Sequence, residues 1–401
     1  MEKKFFGILV IEGQFPKVSR LNVRLFWLAK ALKQKHCEAM FVCPADNPLA
    51  SNSGSFEGIG FFQFPGFAKA LYGNFRLFAR LFNLASSVLA IVFLARKKRA
   101  AFLHAWNPVA GFSAAIASKI IRRPFFLDFT DFYSDIAKQE APLLSGFFES
   151  IERFSLKNAR AVFVVSNVMK QRLSKKGIAA EKIFVVADGT DTKTFSPRID
   201  SRNIAKRFCL PENKTIVFHG GDIKHADGAD ILLKAFKIVL QMVPDAKLLI
   251  VGGTGKEIAL LQSLAENLSV QESVVFTGLV PMKEVPAFLN AASVGAMPLR
   301  ATLNHQCYLS FKIFEYWACG KPVVVSRLQA ISEIARQNQN ALLCEPANAD
   351  CFAKSLAFLL NHPAVAKRLG NNGRKTVEKE FDWQKLMEKE SGTVLSFLPH
   401  K

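Results

Sequence analysis

A chain of 401 residues, half of them hydrophobic and 21% charged, is too long for one ordinary core and too apolar to stay disordered. Two folded domains are the expectation. The formal charge of +20 is concentrated in the first half, where residues 1–195 carry 28 Lys/Arg against 14 Asp/Glu. Residues 196–401 carry 25 against 19, so an anionic partner, nucleic acid or an acidic membrane surface, is expected chiefly of the first half. The plain alternative is a soluble protein of high pI with no such partner.

The N-terminal "MEKKFFGILVIEGQFP" has a short apolar run that meets Glu12 at once, and it reads as a buried first strand rather than a secretion signal. A helical "NVRLFWLAKALKQK" and a strand "CEAMFVCPA" follow. The uncharged "LFNLASSVLAIVFLA" (81–95) is shorter than the ~18–20 residues that span a bilayer, so a buried crossover helix is expected, with an in-plane helix on lipid as the second reading. Strand "AAFLHAW", helix "AGFSAAIASKIIR" and strand "PFFLDF" come next, then a helix over 143–158, strand "AVFVVS", helix "NVMKQRLSKKG" and strand "KIFVVAD".

After the turn-rich "DGTDTKTFSPRIDSRN" the alternation resumes with "KTIVFHGG", "AKLLIVGG", "SVVFTG", "SVGAMPL" and "PVVVS" as strands between helices. Continuous apolar strands alternating with helices imply parallel sheets covered on both faces. The chemistry of such sheets lies at the carboxyl ends of the strands. The reading is an α/β protein of two doubly wound domains facing across a cleft: residues 1–190, a linker at 191–213, and residues 214–380. A closing helix at 381–398 is expected to pack back on the first domain. Seven cysteines without metal spacing, several in apolar runs, read as reduced buried thiols.

One glutamate raises the central question. In "FKIFEYWACGKPVVVS" (311–326), Glu315 stands among aromatic and aliphatic residues, where a bare carboxylate costs several kcal/mol. A helix over 311–319, capped by Ser310 and stopped by Gly320 and Pro322, puts Lys312, Glu315, Tyr316 and Cys319 on one face. The modest interpretation is a local Lys312–Glu315 ion pair. The functional one gives a diphosphate to Lys312 and the backbone amides of 310–312, including Phe311, and gives the hydroxyls of a ribose to Glu315. Gly252 and Gly253, in "VGGTGKE", form a strand-to-helix turn suited to phosphate or sugar oxygens, although glycine there often only makes the bend.

The segment from "SFKIFEYWACGKPVVVS" through "ISEIARQNQNALL" to "RLGNNGRKTVEKEFDW" resembles the C-terminal domain of family 4 retaining glycosyltransferases of the GT-B fold. "VADGTDTKTFSP", "AKLLIVGGTG", "VVFTGLVPMKEVPAFLNAASVGAMPLR", "LHAWNPVAGFSAAIAS" and "PFFLDFTDFYSD" extend the resemblance over nearly the whole chain. It implies transfer of a sugar from a nucleotide sugar to an acceptor hydroxyl with retention, without a protein nucleophile, metal or other cofactor. Lys312 and Glu315 become catalytic-site residues together with Asp131. Gly221, Gly278, Leu279 and Val280 join the donor site. Where many members carry a first glutamate this chain has Cys307, so backbone at Leu309 and Ser310 stands in. Where many carry an Arg and a Lys it has Asp222 and Asp227, leaving Lys224 or His225 to supply a cation.

On the acceptor side the resemblance points to His104, Asn107 and Asp131, with Thr130 where a histidine is common. His104 reads first as a hydrogen-bonded structural histidine and second as an acceptor contact, and Arg20 and Arg24 as anion contacts or solvated side chains. The implied acceptor is lipid-linked or membrane-presented, in cell-surface polysaccharide or lipopolysaccharide synthesis. The protein would then be cytoplasmic and peripheral on an anionic membrane surface. A nucleic-acid partner is disfavoured, because the phenylalanines follow core periodicity and the basic residues flank helices. The rival readings are a GT-B-fold nucleotide-sugar epimerase, or an inactive relative bound to membrane or nucleic acid.

Overall fold

In the computed structural model, residues 5–12, 15, 23–47, 49–66, 76–221 and 223–399 are described. The chain divides into two compact units, one running to Ala187 and resuming at Gln384, the other Asp188–Trp383. Segment 191–213 thus belongs to the second unit and includes a helix, Arg202–Arg207. The closing helix is Trp383–Ser396, and all of it beyond Trp383 belongs to the first unit.

Among the described residues the first unit holds eight strands: β1 (Phe6–Val10), β2 (Glu38–Pro44), β3 (Asn52–Phe56), β4 (Ile59–Phe64), β5 (Phe102–Trp106), β6 (Phe125–Phe129), β7 (Ala161–Val164) and β8 (Ile183–Val185). Their order is β3-β4-β2-β1-β5-β6-β7-β8, parallel except for the β3–β4 pair. That hairpin turns on Glu57 and Gly58, both at positive φ (48° and 73°), as a two-residue loop between right-twisted strands requires. The sequence signal was there, an alternating "FEGIGFFQF" about a glycine. Because β1 is flanked by β2 and β5, the direction of winding reverses between β1 and β5.

The second unit holds β9 (Thr215–His219), β10 (Lys247–Val251), β11 (Val274–Phe276), β12 (Val294–Met297), β13 (Val323–Ser326) and β14 (Leu342–Cys344), all parallel, in the order β11-β10-β9-β12-β13-β14. Here the winding reverses between β9 and β12. Such switch points open a crevice at the carboxyl ends of the strands, so topology alone nominates one location in each unit.

Two sequence expectations change. The helix expected to be buried runs Arg76–Lys97 and hides only one face: Ser87, Ala90, Ile91, Leu94 and Ala95 are buried, while Leu89 is 72% and Phe93 58% exposed. No helix among the described residues is long and apolar enough to cross a membrane. Cys344 and Cys351 are joined as a disulfide rather than held as thiols, because the end of β14 and the first turn of helix Ala349–Asn361 bring their Cα atoms to 5.7 Å. Cys209 is exposed.

The closing helix is tied to the first sheet by a buried ionic knot. Arg24 Nε donates to Asp128 Oδ1 at 2.7 Å and its NH2 to Glu390 Oε2 at 2.6 Å, while NH1 reaches the carbonyls of Val186 and Ala187. His104 Nε2 lies 3.0 Å from Asp128 Oδ2. Arg24, read from the sequence as an anion contact or a solvated side chain, is therefore internal. Two carboxyls facing one guanidinium cannot both ionise cheaply. Burial drives Glu390 well above the ordinary carboxylate range, Arg24 only partly offsets this, and the adjacent Asp128 adds to the rise. Burial would raise Asp128 too, but the Arg24 charge and His104 hold it below its ordinary value.

The signs follow by linkage. A lowered Asp128 stabilises the fold above about pH 4 and loses that contribution on acidification, whereas a raised Glu390 loses its contribution as pH climbs from about 4.5 through its folded value. Glu390→Gln copies the protonated acid. Its melting temperature should match the parent near pH 5 and exceed it increasingly toward pH 9. Parallel melting curves across that range would contradict this assignment.

Candidate functional site

Helix Phe311–Ala318 follows β12 and begins at the switch point of the second sheet. It is clamped on several sides. Tyr316 packs its ring on Gly295 and donates to the Val217 carbonyl, and Trp317 packs on Gly373 and donates to the Asn340 carbonyl. Gly320, at φ 68°, ends the helix, and Arg374 covers its last turn by donating to the Ala318 carbonyl. Ser310 occupies the N-cap position with extended backbone, yet its hydroxyl makes no capping bond to the first-turn amides.

The two charged residues of this helix are nearly sealed, Lys312 at 8% and Glu315 at 5% exposure. They do not pair with each other. Lys312 Nζ lies 2.8 Å from Asp227 Oδ1, and Glu315 Oε2 lies 2.8 Å from His219 Nε2. His219 is the last residue of β9, and Asp227 lies in the connection that follows it. Asp227, expected to mark a missing cation, is instead the counter-ion of Lys312. Burial would raise its carboxyl, but the ammonium charge and hydrogen bond hold it below the usual value. The Lys224 amide donates to its other oxygen. Arg300 braces this turn, donating to both Asp230 oxygens (2.8 and 2.7 Å) and to the His225 carbonyl. Lys224 and His225 have exposed side chains beside it.

The glycine loops are stitched together at the strand ends. Gly253 N donates to Gly221 O, and Gly252 N to Gly278 O. A Cβ at Gly252 (φ 111°) would run into the Gly220 carbonyl, so only glycine permits this closeness. Next to it, Thr254 and Glu257 form a capping box on helix Gly255–Asn267. Gly220 faces Lys312, with Nζ 3.4 Å from where its Cβ would lie. Leu279 is 61% exposed and Val280 partly exposed beyond Gly278. Leu309 and Cys307 are buried just before the helix. This edge therefore joins an open N-terminal helix turn, a held ammonium, a held carboxylate and close-packed glycine backbone.

In the first unit, Asn107 leaves β5 in the left-handed region (φ 67°), where asparagine is tolerated. Its Oδ1 accepts from the Thr130 amide and hydroxyl, and that hydroxyl also reaches Asp131 Oδ2 at 3.1 Å. Asn107, Thr130 and Asp131 thus form one polar cluster at the ends of β5 and β6. Glu12, just beyond β1, accepts from the Ala110 amide across the first-unit switch point. The sequence reading gave this strand-end carboxylate no role. His104 is different: it is fully buried in the ionic knot and stacked on Phe163, so its imidazole is presented to the core and not to a ligand. Arg20 and Asp222 lie outside the described residues.

Residues 200–376 match the family model for glycosyl transferases group 1, and residues 21–189 match the glycosyl transferase 4-like domain. Residues 200–376 are thus a group 1 glycosyltransferase domain. It is 30% identical over 231 residues to a GDP-mannose-dependent alpha-(1-6)-phosphatidylinositol monomannoside mannosyltransferase of Mycolicibacterium smegmatis. That match covers 57% of this chain and 60% of the relative. An N-acetyl-alpha-D-glucosaminyl L-malate synthase of Bacillus anthracis is 25% identical over 59% of each chain.

The fold likeness reaches further. Sucrose-phosphate synthase from Thermosynechococcus elongatus superposes with a TM-score of 0.82 at 18% identity, covering 98% of this chain and 99% of that one. Anabaena Alr3699/HepE in complex with UDP and glucose does so with 0.77 at 19%, with the same coverage. The chain thus carries the two Rossmann-like halves of the GT-B fold.

Proposed function

We propose that this protein transfers a sugar, with retention, from a nucleoside-diphosphate sugar to a hydroxyl of a lipid-linked or membrane-presented glycan. The observation that carries the reading is the edge at helix Phe311–Ala318, where Lys312 and the uncapped first-turn amides stand one turn from a buried, held Glu315. Lys312 and the amides suit the diphosphate, whose charge grows as the glycosidic bond breaks, and fixed dipoles in a dry site stabilise that charge best. Glu315 suits the ribose hydroxyls. Gly252, Gly253, Gly278 and Val280 suit the nucleoside side of the donor. In this reading no metal or other cofactor is needed, because the ammonium and helix end take the leaving charge. Asn107, Thr130 and Asp131, with Glu12, serve the acceptor from the first unit.

The names of related proteins support the donor class: one relative is GDP-mannose-dependent, and solved neighbours hold UDP with glucose or UDP-glucose. A lipid-linked acceptor is supported by that relative's phosphatidylinositol monomannoside. A place in cell-surface glycan assembly is supported by a structural neighbour described as involved in lipopolysaccharide biosynthesis.

A peripheral position on the cytoplasmic face of a membrane belongs to the same proposal. Residues 58–127 contain ten Lys/Arg and no Asp/Glu. Helix Arg76–Lys97 exposes Leu89 and Phe93 and leads into exposed Arg96, Lys97, Lys98 and Arg99. Helix Asn107–Ile121 packs against it and exposes Lys119 and Ile120 before Arg122 and Arg123. Exposed apolar side chains beside these cations suit anionic headgroups.

Thermal-shift titration with UDP-, GDP- and ADP-sugars tests the donor reading. One series should raise the melting temperature of the parent, and Lys312→Ala and Glu315→Ala should abolish most of that rise. Undiminished shifts in both variants would place the pocket elsewhere. Sedimentation with anionic vesicles at low salt tests the membrane reading. The protein should pellet, and Leu89→Asp with Phe93→Asp should weaken binding by at least roughly tenfold, by loss of two buried apolar side chains. Binding equal in parent and variant, or absent in both, would contradict it.

A further inference from the structure

A histidine that no sequence motif marks sits at the centre of the second unit's edge. His219 ends β9 at the switch point, and its Nε2 lies 2.8 Å from Glu315 Oε2. Both side chains are buried, and the Tyr316 ring meets the imidazole edge-on at 6.4 Å. The two residues are 96 positions apart, so only the tertiary fold creates the contact.

A carboxylate this deep must be compensated or take up a proton. A protonated Glu315 would offer a donor where ribose hydroxyls need lone pairs. An N–H on Nε2 keeps the acid ionised, and by engaging Oε2 it fixes the direction in which the carboxylate faces. We infer that His219 is the positioning residue for Glu315, holding the carboxylate charged and aimed for the ribose of a nucleotide. This inference rests on the donor reading above. His219 touches no substrate; it acts through Glu315. Gly220 and Gly221 follow it directly, so the strand end that steadies Glu315 also leaves room around Lys312. The end of β9 and the two glycines after it thereby set both halves of nucleotide recognition, which a merely structural buried pair would not do selectively.

Selectivity is the test. Isothermal titration calorimetry with UDP, GDP, their 2′,3′-dideoxy counterparts and inorganic pyrophosphate separates ribose contacts from diphosphate contacts. His219→Phe should bind the preferred nucleoside diphosphate roughly 10- to 100-fold more weakly, the range for losing a hydrogen bond to a charged group. Its affinity for pyrophosphate and the dideoxy nucleotide should stay within roughly threefold of the parent, since those ligands bring no ribose hydroxyls to Glu315. His219→Gln, whose amide N–H reaches the place of Nε2, should restore binding to within roughly threefold.

His219→Asn is too short to reach Oε2 and should repeat the selective loss even where Phe prevents folding. In a Glu315→Gln background, His219→Asn should add less than about a threefold loss, because coupled residues are not additive. Equal losses for ribose-bearing and ribose-free ligands, or parental binding by His219→Phe and His219→Asn, would overturn the inference while leaving the donor reading intact if Lys312→Ala still weakens every ligand. A parent protein that binds none of the nucleotides would overturn both.

Discussion

An ammonium and a carboxylate placed one turn apart on a helix with almost no solvent contact persist only when each has a counter-group. In this protein neither takes the other. Lys312 turns to Asp227 and Glu315 to His219; His219 ends β9 and Asp227 lies in the connection after it. The pairing pins the helix after β12 to the strand beside it at the point where the sheet reverses its winding. Close glycine backbone at residues 220–221 and 252–253, its amides tied to neighbouring carbonyls, then leaves room at that corner beside two held charges. Breaking either pair would strand a buried charge, a loss of about 3–5 kcal/mol. The arrangement is therefore a structural constraint before it is a binding site.

The first unit solves a similar problem with a different result. Arg24, Asp128, His104 and Glu390 are all sealed from water, and two acids share one guanidinium because burial raises Glu390 while Arg24 and His104 lower Asp128. Their service is to moor the closing helix, whose Glu390 lies 366 positions from Arg24. The polar groups left at the strand ends are Asn107, Thr130, Asp131 and Glu12. The first unit also carries an acid-free, cation-rich pair of helices with exposed Leu89 and Phe93. The two units thus divide the tasks proposed for a sugar transferase, with the donor on the second and the acceptor and bilayer on the first.

What the sequence disclosed follows from how far each signal reaches. Strand–helix alternation, the Ser310 start and Gly320 stop, and the oddity of Glu315 are local patterns, and each was legible. The partners were not, because His219 and Asp227 lie 96 and 85 positions from the residues they hold. Asp227 was legible only as a departure from a family pattern, with the wrong sign of consequence. His104, legible both as a structural histidine and as an acceptor contact, is the former: it lies within β5 and its Nε2 meets Asp128 in the core. The β3–β4 hairpin was missed although Gly58 and the alternating strand marked it. The Arg76–Lys97 helix is uncharged through its middle on every face, so composition could not tell its buried side from its exposed one.

The decisive place in the molecule is the corner where helix Phe311–Ala318 meets the end of β9. A crystal structure of the protein with its preferred nucleoside diphosphate addresses that corner directly. The account predicts the diphosphate against the amides of residues 310–312 and the Lys312 ammonium, with the ribose hydroxyls on Glu315. A nucleotide ordered elsewhere, with the Lys312–Asp227 and Glu315–His219 pairs undisturbed and unvisited, would contradict it.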